Sequence, residues 1–357
     1  MEFEKTGNEV QEILRKPISQ LGLKLEGSSV ERCVQQLYRE LDRKGLKRFR
    51  PVCYLTDEWG CPSGQPVIGI PFYLADPKLA KLERVMNDLE DEREIMMYLR
   101  HEAGHAFNYA YRLYITPDWR RLFGPYNRRY RDRYRPIPFS RKFVRHIAGW
   151  YAQKHPDEDF AETFAVWITP GSKWRIRYKG WPALRKLRYV DAVARRVREQ
   201  DPVVSTGAFD ITVEDMKVTV EEFYRRLSRQ NGTAIDVALE TDLADLFLER
   251  GRRRKGIRPA WEMIEEHRKT LTDKITYWTG VARPTVKALV ERIIRTCREH
   301  ELYAEVGREP AHLVELTAYG TTLTMNYLTR GRFVHGEEKK QSHGTGSRGN
   351  GRPSAAR

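Results

Sequence analysis

The 357-residue chain holds only four cysteines, Cys33, Cys53, Cys61 and Cys297, and no two of them form a C-x-x-C pair. A disulfide framework and a cysteine-rich zinc ribbon are therefore not expected. No apolar run approaches the 18 or more residues that a membrane-spanning helix needs. The first residues, Met-Glu-Phe-Glu-Lys, lack the basic and apolar stretches of a secretory signal, so a reducing, cytoplasmic setting is expected. Internal repeats are also lacking. Apolar residues at 40% and charged residues at 32% are a globular mixture, which excludes collagen-like and wholly disordered chains. One charge sign is in excess: 64 Lys and Arg face 49 Asp and Glu, giving a formal net charge of +15. Such a balance suits nucleic acid, acidic polymers, anionic lipid or simply an arginine-rich surface.

The patterning predicts an α+β fold that is mostly helical. Residues 1–45 form an N-terminal helical segment, with Ser28-Ser29-x-Glu31 as a capping box and Gly45 as a helix terminator. Residues 46–204 form the domain that carries the chemistry. It opens with two strands, Phe49–Leu55 and Val67–Leu74, and Pro71 puts the second on an edge that could accept an extended peptide. A helix follows over Asp91–Tyr114, and another runs from Pro156 to just before Pro170. Residues 205–335 read as a helical C-terminal domain, with helices over Thr212–Arg229, Thr233–Arg250, Trp261–Trp278, Pro284–His300 and Pro310–Leu328. Residues 336–357 read as a disordered basic tail.

The chemistry centres on His101-Glu102-Ala103-Gly104-His105, an H-E-x-x-H motif inside a predicted helix. Random shuffling of this composition yields about 0.02 such matches per chain. Residues four apart share a helix face, so both imidazoles can reach one Zn2+ ion while Glu102 stands beside it as a general base. A second helix brings Glu158 and Glu162, again four apart. Glu158 is the expected third metal ligand. Glu162 can accept the free N–H of a ligating imidazole and fix its tautomer. Asp157 and Asp159 fit an acidic first turn that complements the helix dipole. His146 and His155 are rival ligands, with His155 expected at the surface.

These motifs resemble the gluzincin class of zinc peptidases. Tyr151-x6-Glu158-x3-Glu162 is similar to the arrangement in the anthrax lethal factor peptidase domain, which implies a catalytic role for Tyr151. A bacterial family of zinc-binding metallopeptidases is closer still. Its matching stretches are Glu58-Trp-Gly-Cys-Pro, Ile70-Pro-Phe-Tyr-Leu, Arg100-His-Glu-Ala-Gly-His, Trp150-Tyr-Ala-Gln, Pro156 to Trp167 and Gly180-Trp-Pro-Ala-Leu. The resemblance implies a zincin-like domain that hydrolyses peptide bonds through a metal-activated water. Some relatives carry an N-terminal cysteine ribbon that this chain lacks.

Between Arg120 and Arg145, ten Lys or Arg residues with Tyr126, Tyr130 and Tyr134 face only one acid, Asp132. They could rim the cleft and favour acidic substrates; nucleic acid is the less favoured partner. The competing functions are a nucleic-acid or protein-binding module with a structural zinc site, and a zinc hydrolase of a non-peptide amide.

Overall fold

The computed structural model describes residues 8–86, 89–130, 134, 136–231, 237, 239–249, 256–330 and 333. The expected basic tail, 336–357, lies outside the described residues. Among the described residues the fold is mostly helical with two small sheets. Its apolar side chains form two separate buried clusters. One draws on residues from Leu14 to Tyr224 and the other on Val237 to Leu323.

Helix α1 (Glu31–Arg43) turns Cys33, Val34, Leu37 and Leu41 inward. The expected capping box is not reciprocal. Ser28 Oγ accepts the Glu31 N–H at 3.3 Å, but the Glu31 carboxylate accepts from Gly27 N at 2.7 Å instead of from the serine backbone. Gly45, at φ +83°, ends the helix as expected, since only that backbone turn lets Leu46 N donate to Leu41 O. Strands β1 (Val52–Thr56) and β2 (Val67–Pro71) pair in parallel, Val52 opposite Val67. The chain leaves the strand at Pro71 into a 3-10 turn over Phe72–Ala75, so β2 is shorter than expected. Every β2 residue is buried, and Gly69 exchanges hydrogen bonds with Gly60. That occupied edge is not open to an added peptide strand, and the expectation of substrate strand addition there is corrected.

Helix α2 (Glu92–Ala110) opens with a true capping box, Asp91 accepting from Glu94 N and Glu94 accepting from Asp91 N, both at 2.9 Å. Helix α3 (Pro156–Ile168) starts with Pro156, whose missing N–H is no loss at that position. All thirteen of its residues are buried. The two helices pack face to face. Gly104 permits the approach, because a Cβ there would stand 2.7 Å from Ala161 Cα. Phe49, Phe107 and Phe164 pack beside the contact with ring centroids 5.0–5.4 Å apart. Each such fully buried ring contributes about 1.5–3 kcal/mol. Helix α4 (Ala183–Arg196) covers the far side of α3 with Ala183, Leu187, Val190 and Val193.

The expected helix over Thr212–Arg229 is shorter, running as α5 (Val220–Asn231). Residues 212–219 are held otherwise: Thr212 bonds to Asp215, while Met216 and Val218 carbonyls accept from Ser19 and Ile18. Val213, Met216, Val220 and Tyr224 therefore pack in the first cluster. The expected division at 204/205 falls inside that cluster, and the apolar packing separates only after Tyr224. The second cluster is built from α6 (Arg268–Thr279), α7 (Arg283–Glu299) and α8 (Glu309–Arg330), with a short antiparallel pair, β3 (Ile257–Pro259) and β4 (Tyr303–Glu305). The stretch expected as one helix over Trp261–Trp278 is interrupted at His267.

Candidate metal centre

His101, Glu102 and His105 project from the middle of α2 and are 2–7% exposed. Glu158, from the first turn of α3, meets them. Its Oε2 lies 3.0 Å from His101 Nε2 and 3.2 Å from His105 Nε2, and the two Nε2 atoms are 3.2 Å apart. These three residues form a possible metal site.

The remaining atoms of the same groups are already committed. His101 Nδ1 faces Glu162 Oε1 at 3.0 Å, and Glu162 also accepts the backbone N–H groups of His146 and Ile147. His105 Nδ1 faces Asp157 Oδ2 at 2.9 Å, and Asp157 also accepts from Asn108 Nδ2 at 2.7 Å and the Tyr109 hydroxyl at 2.5 Å. Both carboxylates collect donors, and each faces an Nδ1 that can donate its proton to it. A neutral imidazole then offers a lone pair at Nε2. With both imidazoles neutral, three acceptor atoms converge there, and either a proton on a ring nitrogen or a bound metal cation relieves the arrangement. Bonds of 2.0–2.1 Å at tetrahedral angles hold neighbouring zinc ligands about 3.3 Å apart, close to the separations found. The donor set therefore fits Zn2+.

The electrostatics agree. Burial alone would lower the His101 pKa, yet hydrogen bonds to Glu158 and Glu162 raise it to about 9. His105 is likewise held well above its usual range, burial being outweighed by the Asp157 and Glu158 charges. Burial would raise Glu158, but His105 and His101 pull it well below the normal carboxylate value. The cluster draws positive charge to itself. Glu102 behaves differently: burial pushes its pKa up against the opposing imidazoles, and among the described residues no side chain hydrogen-bonds its carboxylate.

The centre opens into a cavity of about 670 Å³ whose wall includes Glu58, Trp59, Glu102, Tyr130, Tyr151 and Lys154. The Tyr151 ring stands edge-on to His101, centroids 5.5 Å apart, and Lys154 Nζ lies 3.5 Å from its hydroxyl. Tyr130, from the basic stretch expected at the cleft rim, donates to Glu158 Oε1 at 2.5 Å. Burial next to Glu158 pushes both phenols far above the usual range, so both remain O–H donors.

Residues 64–170 match a family model described as "Putative zinc-binding metallo-peptidase". That span contains β2, α2, α3 and every residue of the convergence. No curated protein and no solved structure matches the chain. The metallo-peptidase match covers less than a third of the sequence and leaves the second apolar cluster outside it.

Several neighbours of the candidate metal centre stand otherwise than the sequence predicts. Asp157 does stand in the acidic first turn of α3, but it is 6% exposed and its carboxylate also orients His105. Asp159, 2% exposed, pairs with Lys186 Nζ at 2.5 Å. His155 is buried rather than exposed. Its Nδ1 accepts the Asp157 N–H to cap α3, and its Nε2 bonds the Arg128 carbonyl. His146 is no ligand, since its Nε2 donates to Met97 O at 2.9 Å. A signal for Asp157 was present: Asp157, Glu158, Asp159 and Glu162 spread around more than half of an otherwise apolar helix, so they cannot all share one solvent face.

Proposed function

We propose that the chain is a zinc-dependent peptidase with a zincin-like catalytic unit. His101, His105 and Glu158 are the metal ligands in the gluzincin pattern, and Glu162 and Asp157 orient the two imidazoles. A bound zinc ion supplies Lewis acidity to a water molecule and to the substrate carbonyl. Glu102, buried and free of hydrogen-bonded partners among the described residues, takes the proton from the attacking water and returns it to the leaving amine. The Tyr151 hydroxyl faces the cavity and donates to the oxyanion as it develops, as the likeness to the lethal factor peptidase domain implies. Tyr130 holds the second oxygen of Glu158, which leaves one oxygen for the metal. Lys154 and Arg128 on the cavity wall suit substrates with acidic side chains.

One observation carries this reading: three lone pairs converge beside an unbonded glutamate, with both outer imidazole nitrogens locked by carboxylates. The open cavity argues against a structural zinc site, which is normally closed by four protein ligands. The test compares zinc content and cleavage of a mixed peptide library, with and without chelator, for the wild type and His105→Ala. One zinc per wild-type chain, lost in the variant together with chelator-sensitive cleavage, supports the reading. Zinc retained by the variant defeats the ligand assignment. Zinc bound without cleavage of any peptide defeats the peptidase.

A further inference from the structure

A strongly basic surface lies at the other end of α3, away from the candidate metal centre. Helix α4 buries Leu187, Val190, Val193 and Ala194 and turns Arg185, Arg188, Ala192, Arg195 and Arg196 to solvent. Those positions recur every three to four residues, so they form one stripe about 16 Å long. Beside it runs the short helix Trp174–Arg177, which adds exposed Lys173, Arg175, Arg177 and Lys179. Eight exposed cations thus lie between Lys173 and Arg196, and Asp191 is the only acid in that stretch. Its carboxylate is taken up internally, accepting from Trp167 Nε1 at 3.0 Å, Arg175 at 2.9 Å and Arg195 at 2.8 Å. Lys186, the one lysine of α4 that turns inward, is paired with Asp159 and plays no part.

Asp191 ties the two helices into one face, and a cavity of about 280 Å³ opens at its edge. Lys173 and Arg175 line that cavity with the half-buried Lys44, whose Nζ donates to Trp167 O at 2.7 Å. The cations are mainly arginines, whose planar fork matches phosphate oxygens. A nucleic-acid duplex presents one negative charge per ~1.7 Å of axis, a density that this stripe matches better than scattered carboxylates would. An anionic bilayer would ask for several large apolar residues on this face, and α4 and Trp174–Arg177 together expose one, Ile176.

We propose that the face made by α4 and Trp174–Arg177 binds the phosphate backbone of double-stranded nucleic acid without reading sequence. The surface stands apart from the cleft: α3 separates Glu158 from the loop at Thr169 by about 16 Å of helix rise. It would hold the enzyme on nucleic acid while the cleft acts on protein carried there. The proposal does not depend on the peptidase reading.

The test is fluorescence anisotropy of a labelled mixed-sequence DNA duplex of about 25 base pairs with the full chain across a salt series. The wild type is expected to bind with an affinity that falls steeply with salt. Arg185→Glu/Arg188→Glu/Arg196→Glu should weaken binding at least about 30-fold at moderate salt and reduce the log–log salt slope by about 2–3. Arg185→Gln/Arg188→Gln/Arg196→Gln should produce a smaller loss of the same kind. Zinc content and thermal midpoint should be unchanged in both. Variants that bind the duplex with wild-type affinity and slope overturn the proposal. So does a wild type that binds phosphatidylserine vesicles but not the duplex.

Discussion

The two apolar clusters of this chain bury polar groups in opposite ways. In the first, α3 alone buries four carboxylates, and α2 buries two imidazoles and a glutamate. In the second, the buried polar side chains are mostly threonines, and Thr279, Thr296 and Thr324 bond carbonyls one turn back in their own helices. A threonine that returns its hydroxyl to the helix costs little to bury. A carboxylate taken from water costs several kcal/mol unless a partner meets it. The first cluster meets that cost partly with ion pairs, Glu40 with Arg100 and Asp159 with Lys186, and partly by converging charges on one point; among the described residues the second cluster buries no such convergence. Buried charge with a common focus is what the proposed chemistry needs, and the hydroxyls of the second cluster offer nothing comparable.

The contrast can be broken most severely at Glu102. Glu102→Gln should keep zinc and lower kcat about 10²–10⁴-fold. Tyr151→Phe should also keep zinc, with a smaller fall in kcat. Zinc content measured beside turnover checks both, and a Glu102→Gln enzyme of wild-type speed would remove the general base. Next in size is Asp157→Asn, which should weaken zinc binding about 10–100-fold in chelator competition, much as Glu162→Gln should. Unchanged affinity would return Asp157 to a merely structural place.

A subtler test joins the two clusters. Gly280, at φ +76°, lies against Trp150, the residue before Tyr151; a Cβ there would be 1.7 Å from Trp150 Cδ1. Gly280→Ala should displace Trp150 and lower kcat several-fold with zinc content intact, although Gly280 belongs to the second unit. The smallest effect is expected at His312. Burial holds its pKa below the usual 6.5, so the unfolded chain takes up a proton that the folded one refuses. Its contribution to stability is complete above pH 6.5 and is lost as pH falls below it, by at most about 1.4 kcal/mol per pH unit. Denaturant titrations at pH 7.5 and 5.5 should show this loss shrink in His312→Leu.

What the sequence made legible was local. The start of α2 is written in Asp91 and Glu94, and the start of α3 in Pro156, because each signal lies within one turn of its effect. The spacing of His101 and His105, and of Glu158 and Glu162, follows from helix geometry alone. The union of those pairs is a tertiary event, and the approach of Tyr130 and Asp157 is another. Asp157 neighbours Glu158 by one residue, which on a helix points it elsewhere, and only the angle between α2 and α3 brings it to His105. The helix expected from Thr212 failed for the same kind of reason: residues 16–19 capture the segment before Val220 through the backbone, and periodicity says nothing of that.

Gly104 deserves its place in the motif for a reason separate from metal chemistry. A methyl group at that position would meet Ala161 backbone atoms at 2.7 and 2.9 Å, and neither can swing aside. The distance between the two helices, and with it the reach from Glu158 to both imidazoles, is set by one missing carbon atom. In this chain the second "x" of H-E-x-x-H is a spacer as specific as the histidines that flank it.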